Sequence, residues 1–290
     1  MLLSIIFTIL SAGAAVGTFF GLYYPDWSWG WVIAVATIGY DLFIHFVYLL
    51  IIAIFSTIYQ HSNAPAPEHP RRFGMFILEQ TSWMIIHLFM GLVYFSGWGK
   101  LPSRKTRFML VSNHISGWDH VGLFSLLAGR RLIAVSKKAN EAIFGAGGWI
   151  KYAGNLAIDQ GDLKQGQQVI EKAGNLIKNG ECSVAIAPEG TRNKNFPDPM
   201  LLPFHPGSFQ MAVKAKCPIV VIAIQNTNAL FKRFPRWSNL YYDCVAVLDY
   251  ETYKDWSLSE ISYYCHGKIL ERLNKKQSRF YHVKKEEKKD

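Results

Sequence analysis

Apolar positions along the chain fall into two regimes, a dense one up to about residue 100 and a patterned one after it. From Met1 to Tyr24 no side chain is charged, and from Trp31 to Tyr59 only Asp41 is. Each run is long enough to cross roughly 30 Å of hydrocarbon as a helix, so residues 1–60 are expected to form two transmembrane helices. Gly13, Gly17 and Gly21 recur at every fourth position and offer a smooth face for close packing of a second helix. Ala12 and Ala14 could flank a signal-peptide cleavage site. No Lys or Arg precedes the run, however, and apolar sequence continues past that point, which favours a retained anchor.

His61 to Arg72 is rich in Pro and Ala, and its Arg71 and Arg72 favour the cytoplasmic side. A third apolar stretch runs from Phe73 to Trp98, includes Glu79 and His87, and is followed by Lys100, Arg104, Lys105 and Arg107. A full crossing would put one basic cluster on the wrong side, whereas an element lying in one leaflet keeps both inside. Residues 61–100 therefore read as a linker and a membrane-embedded amphipathic helix or hairpin.

The second regime, over residues 101–283, alternates short β-rich runs with helical periodicity. Strands are expected at 108–112, 132–135, 155–158, 183–187, 219–224 and 244–248, and helices at 118–127, 163–178, 208–215 and 258–274. The fold class is α/β: a largely parallel or mixed sheet flanked by helices, preceded by N-terminal transmembrane and membrane-embedded helices. The tail, 284–290, mixes charges of both signs and reads as a solvated end.

Charge and cysteine usage narrow the partners. The net charge of +10 lies mainly after residue 70 and suits anionic lipid headgroups or a negatively charged substrate. Nucleic acid would want the same sign, but no reader motif is present. Cys182, Cys217, Cys244 and Cys265 form no CxxC pair and read as reduced thiols. No His/Cys/Asp/Glu cluster has metal-ligand spacing, so no metal or other cofactor is expected.

The stretch Asn113-His114-Ile115-Ser116-Gly117-Trp118-Asp119-His120 follows an expected strand. On a continuous helix His114 and Asp119 would point about 140° apart, so they meet only if the chain bends. Ser116 and Gly117 supply the bend, with Ser116 able to cap a helix whose first turn holds Asp119. A neutral imidazole fixed by a carboxylate is suited to taking a proton from an alcohol. The plain alternative is a capping box, S-x-x-D, serving helix amides alone. Pro188-Glu189-Gly190-Thr191-Arg192 forms a second polar turn at a strand end, where Arg192 can hold a phosphate with two parallel hydrogen bonds. Gly190 lets backbone approach a ligand, and Thr191 adds a hydroxyl. Phe231-Lys232-Arg233-Phe234-Pro235-Arg236-Trp237 interleaves cations and rings, as a membrane-interface loop, a contact for an anionic donor or an ordinary surface loop would. His45, His87 and His120 are assigned no role.

Together NHISGWD and PEGTR resemble the first and third blocks of the glycerolipid acyltransferases, the family of the 1-acylglycerol-3-phosphate acyltransferases. Leu156 to Asp159 stands where the second block is expected, and Cys217 to Ile222 is similar to the fourth. The resemblance implies that His114 is the catalytic base, Asp119 its partner, and Glu189, Gly190, Thr191 and Arg192 the acceptor-binding turn of a catalytic domain over 101–283. It further implies transfer of a fatty acyl group from acyl-CoA or acyl-carrier protein to the sn-2 hydroxyl of lysophosphatidic acid. That reaction makes phosphatidic acid in phospholipid biosynthesis, at the cytoplasmic face of the cell (inner) membrane. Two positions depart from the family pattern: Gln160 stands where an Arg is common, and Phe204-His205-Pro206-Gly207 where a Lys is. Losing a charge-assisted phosphate contact removes about 1.5–3 kcal/mol, which Lys137, Lys138 or Lys151 could restore. Another lysolipid, such as lyso-ornithine lipid, is the alternative acceptor. Attack by water, as in a lipid esterase, is the alternative reaction.

Overall fold

A nearly uncharged run placed in lipid can satisfy its backbone groups by forming a helix. In the computed structural model, which describes residues 1–22, 31–62, 64–159 and 161–280, the two runs form α1 (Leu2–Leu22) and α2 (Trp31–His61). Both are long and apolar enough to cross a membrane. Thr8 donates to Asp41 at 3.0 Å and the Thr18 and Tyr40 hydroxyls meet at 2.9 Å, so the one charge of the second run is partnered within the helix pair. The glycine face is not the contact. A Cβ at Gly13, Gly17 or Gly21 would meet nothing within 4 Å, while Ser4, Ser11, Ala15 and Phe19 are buried. Two positions turn a helix by about 200°, so the buried stripe lies opposite the glycines.

Beyond the pair come α3 (Arg72–Leu88), β1 (Gly91–Ser96), β2 (Met109–Ser112), α4 (Trp118–Leu126), β3 (Leu132–Lys137), α5 (Gly147–Ala153), β4 (Leu156–Ile158) and α6 (Leu163–Lys178). Then follow β5 (Ser183–Ile186), α7 (Gln210–Ala215), β6 (Ile219–Gln225), α8 (Ala229–Arg233), β7 (Ser238–Leu248), α9 (Tyr250–Tyr253) and α10 (Leu258–Phe280). The expected tail at 284–290 and Gln160 lie outside the described residues. The strands form one sheet in the order β1-β7-β6-β2-β5-β3-β4, with every pairing parallel except the antiparallel β6–β7.

Every expected strand and helix of the second regime is present, the helix at 163–178 with the expected ends and the others with shifted ones. The larger difference is at Phe73 to Trp98, expected as a helix or helical hairpin and found as a helix followed by a strand. α3 stops at Leu88, Met90 takes a left-handed φ of 56°, and Gly91 opens β1, an edge strand paired with β7. Gly91 sits so close to Ile86 that a Cβ would lie 2.6 Å from that side chain. Apolar residues on both sides of this corner conceal it in the sequence. Strand β7 likewise begins at Ser238 rather than at Cys244, because Leu240 and Tyr242 alternate into the core from a stretch that reads as polar loop.

Alternation along the central strands splits the core. Met109 and Val111 of β2 pack with Val184, Ile186, Ile219 and Val221 beneath α6, α7 and α10. Leu110 packs with Ala185, Val220 and Ile222 beneath α3 and α4 on the other face. α10 buries Ile261, Cys265, Ile269 and Leu273, a stripe at every fourth position.

The helix pair stands on this domain at α3 and α5. Gln80 Oε1 accepts from the Met1 amine at 2.9 Å and the Leu3 amide at 3.2 Å, and the Tyr48 and Thr81 hydroxyls meet at 2.8 Å. Trp149 stacks on Phe55 and donates its indole N–H to the Ile52 carbonyl at 3.0 Å. Gly148 is needed here, since a Cβ would fall 1.9 Å from the Ser56 carbonyl oxygen. Gly148→Ala must therefore part α5 from α2, with an expected loss of about 1–3 kcal/mol. Thermal unfolding in detergent and faster proteolysis of the linker between α2 and α3 are the measurements.

Candidate active site

The parallel strands β6, β2 and β5 are neighbours, so the loops leaving their C-terminal ends converge, as ligand sites in open α/β sheets commonly require. Asn113 ends β2. Its buried side chain accepts from the Ile224 amide at 2.7 Å and donates to the Ile224 carbonyl at 2.9 Å, continuing the ladder to β6 while the main chain turns away.

The turn brings the expected pair together. His114 Nδ1 lies 2.8 Å from Asp119 Oδ2, with the imidazole partly exposed and the carboxylate fully buried. Oδ2 also accepts from the amides of Ile115 at 2.8 Å and Ser116 at 2.9 Å, and the Thr227 hydroxyl donates to Oδ1. Four donors thus offset burial of the charge. Half of the expected capping box is present, since Asp119 reaches back to the Ser116 amide. Ser116 itself accepts from Trp118 N–H at 3.2 Å, while the residue preceding the helix is Gly117. One carboxylate thus fixes both the loop and the ring. With Nδ1–H directed at Asp119, Nε2 is left as the proton acceptor.

The second turn adjoins this loop. Glu189 accepts from the His114 amide at 2.6 Å and the Leu202 amide at 3.0 Å, and the Asn193 amide donates to the His114 carbonyl at 2.7 Å. Glu189, expected to contact an acceptor, has both oxygens on backbone amides and braces the two loops. Gly190, Thr191 and Arg192 are exposed, with Gly190 at φ 65°. The His205 ring lies over Gly190, 3.2 Å from where a Cβ would be. Lys137 ends β3 and pairs in register with Ile158 of β4, at the same sheet edge as the two loops. Lys151 instead lies against the Tyr59 ring of α2.

Thr227, Asn193 and His120 are contacts that the sequence did not reveal. The first two lie far along the chain from His114, and the only signal is their place just after a strand or a motif. His120, expected to point away, lies edge-on to His114 at 5.6 Å. Its Nε2 is enclosed without a partner, and burial followed by the neighbouring His114 lowers its pKa to about 4, leaving it neutral. Among the described residues no group of three or more His, Cys, Asp or Glu is placed to hold a metal ion.

Comparison with known proteins bears on the fold and on the class of the chain. Residues 93–225 match the family model described as Acyltransferase. A 1-acyl-sn-glycerol-3-phosphate acyltransferase of Haemophilus influenzae is 27% identical over 172 residues, 58% of this chain and 69% of that one. The enzyme of the same name from Escherichia coli is 27% identical over 198 residues, 65% and 73% of the two chains. A human 1-acyl-sn-glycerol-3-phosphate acyltransferase beta is 34% identical over 125 residues, 42% and 43%. The fold is that of a 1-acyl-sn-glycerophosphate acyltransferase, PlsC, from Thermotoga maritima, with a TM-score of 0.58 at 18% identity, covering 82% of this chain and 99% of that one.

The family model, the relatives and the two apolar helices together define a membrane-associated enzyme with an acyltransferase domain. It is an acyltransferase like the 1-acylglycerol-3-phosphate O-acyltransferases to which it is similar.

Burial pushes the Glu189 carboxyl up to about 7, outweighing the two amide bonds that act the other way. Between the ordinary carboxylate range and about 7 the folded chain holds a proton that the unfolded chain has released. The contribution of Glu189 to stability is therefore full in acid and declines as pH rises through about 7. Relative to Glu189→Gln, which does not titrate, the wild-type melting temperature should fall between about pH 5 and about pH 8. A difference that stays constant or grows would contradict this assignment.

Proposed function

We propose that the chain transfers a fatty acyl group from acyl-CoA or acyl-carrier protein to the sn-2 hydroxyl of lysophosphatidic acid, giving phosphatidic acid at the cytoplasmic face of the inner membrane. The observation that carries this reading is the 2.8 Å His114–Asp119 pair, whose loop is tied by Glu189 to the turn bearing Arg192. The acceptor hydroxyl gives its proton to His114 Nε2 as its oxygen bonds to the thioester carbonyl carbon. Asp119 holds the resulting imidazolium. Collapse of the tetrahedral adduct breaks the carbon–sulfur bond, and the departing sulfur takes the proton back from His114. Serine plays no nucleophilic part, since no GxSxG elbow is present. Arg192, with Thr191 and Gly190, binds the acceptor phosphate, and Lys137 at the same sheet edge supplies a second cation. The α1–α2 pair anchors the enzyme while α3 keeps the domain against the leaflet, so that the acyl tail stays in lipid as the headgroup reaches His114.

A second acceptor, a lysolipid without a phosphate monoester, is favoured by Gln160 and His205 standing where relatives commonly carry cations. A lysolipid panel offered to one membrane preparation with one donor, the products identified by mass, separates the two.

His114→Ala should lower turnover at least ~10²-fold while the protein still inserts and folds. Turnover within a few-fold of wild type would discard the general-base reading. Arg192→Ala should raise KM for phosphate-bearing lysolipids by about tenfold or more and leave neutral acceptors much less affected. Equal losses for both acceptor types would remove Arg192 from the phosphate site.

A further inference from the structure

The segment from Phe231 to Trp237 is exposed along its whole length and carries three cations and three aromatic rings. It holds no Asp or Glu, and neither does the chain on either side of it from Asn226 to Asn239. Large apolar side chains left open to water in this way ordinarily meet another phase or partner. Phe231, Phe234 and Trp237 are 46%, 49% and 54% exposed.

The loop is anchored rather than loose. Arg236 N–H donates to the Arg233 carbonyl at 2.7 Å, and Ser238 N–H to the Met90 carbonyl at 3.0 Å. Phe231 lies 4.3 Å from the Phe89 ring and 4.6 Å from the Trp118 ring, and Phe234 lies 5.6 Å from Phe89. Two connections follow. Trp118 directly precedes Asp119, so the loop packs on the start of the catalytic helix. Phe89 directly follows α3, whose Gln80 and Thr81 hold the foot of α1 and Tyr48, midway along α2. Along that helix the foot and the loop are about 13 Å apart, at 1.5 Å per residue.

From this placement we infer that the 231–237 loop is a second membrane contact, which docks on the headgroup layer of an anionic phospholipid bilayer beside the mouth of the His114 site. Lys232, Arg233 and Arg236 meet the lipid phosphates, and Phe234 and Trp237 enter the interfacial layer where aromatic side chains are favoured. With the helix pair on one side and the loop on the other, the domain is fixed at two points, and its orientation sets the path of a lipid acceptor to His114. The inference rests on the proposed acyl transfer at a membrane only for this last step.

The test uses the full chain in vesicles. The four native thiols are buried, and burial pushes those of Cys182, Cys217 and Cys265 up to about 12 and that of Cys244 up to about 11, so a thiol dye labels Phe234→Cys alone. In vesicles containing phosphatidylglycerol the dye should emit as in an apolar medium and be quenched by brominated phospholipid, more strongly than in phosphatidylcholine alone. Lys232→Glu with Arg233→Glu and Arg236→Glu should return quenching to the phosphatidylcholine level and raise KM for vesicle-borne acceptor about tenfold or more, with kcat within about twofold. Water-like emission without quenching in both vesicle types overturns the inference even if the enzyme is fully active. A rise in KM for the acyl donor instead of the acceptor also overturns it, assigning the cations to the donor. A quenched label on an inactive enzyme supports the contact and counts against the proposed reaction only.

Discussion

One buried carboxylate organises the site. Asp119 collects an imidazole, two main-chain amides and a hydroxyl from two separate loops, and removing one partner of such a buried charge costs about 3–5 kcal/mol. The bend between His114 and Asp119 is held by the amides of Ile115 and Ser116, both of which donate to Asp119. Ring orientation follows from loop shape, and loop shape from the charge. Thr227 extends the arrangement to β6, so the central strand β2 and its neighbour hold the pair from both sides.

A second carboxylate plays the complementary part. Glu189 ties the start of the histidine loop to the turn that bears Arg192, and Asn193 adds a reciprocal bond to the His114 carbonyl. Motion in one loop is then felt in the other. The two sequence motifs are thus not separate stations for chemistry and binding, but halves of one hydrogen-bonded unit.

What the sequence disclosed reflects the range of the interactions involved. His114 and Asp119 were legible because their meeting depends on residues between them, and the strand and helix runs because alternation and periodicity are local. Thr227 and Asn193 were not, since their contacts arise only once distant strands are adjacent, and His120 was not because its position after Asp119 suggested a ring turned away from His114. The residues from Gly91 to Ser96 vanished into an apolar run, because a half-buried strand at a sheet edge and a lipid-facing helix use the same side chains. Gly13, Gly17 and Gly21 misled for another reason: small residues mark where close packing is permitted, and Ala15 and Phe19 took the contact.

The enclosure of all four cysteines has a chemical consequence of its own. A thioester donor is vulnerable to any thiolate it meets, and transthioesterification would leave the fatty chain on the protein instead of on the alcohol. Here each sulfur is shut inside the core and, with its pKa between about 11 and about 12, stays protonated. On the proposed reading, the enzyme is thereby protected from acylating itself.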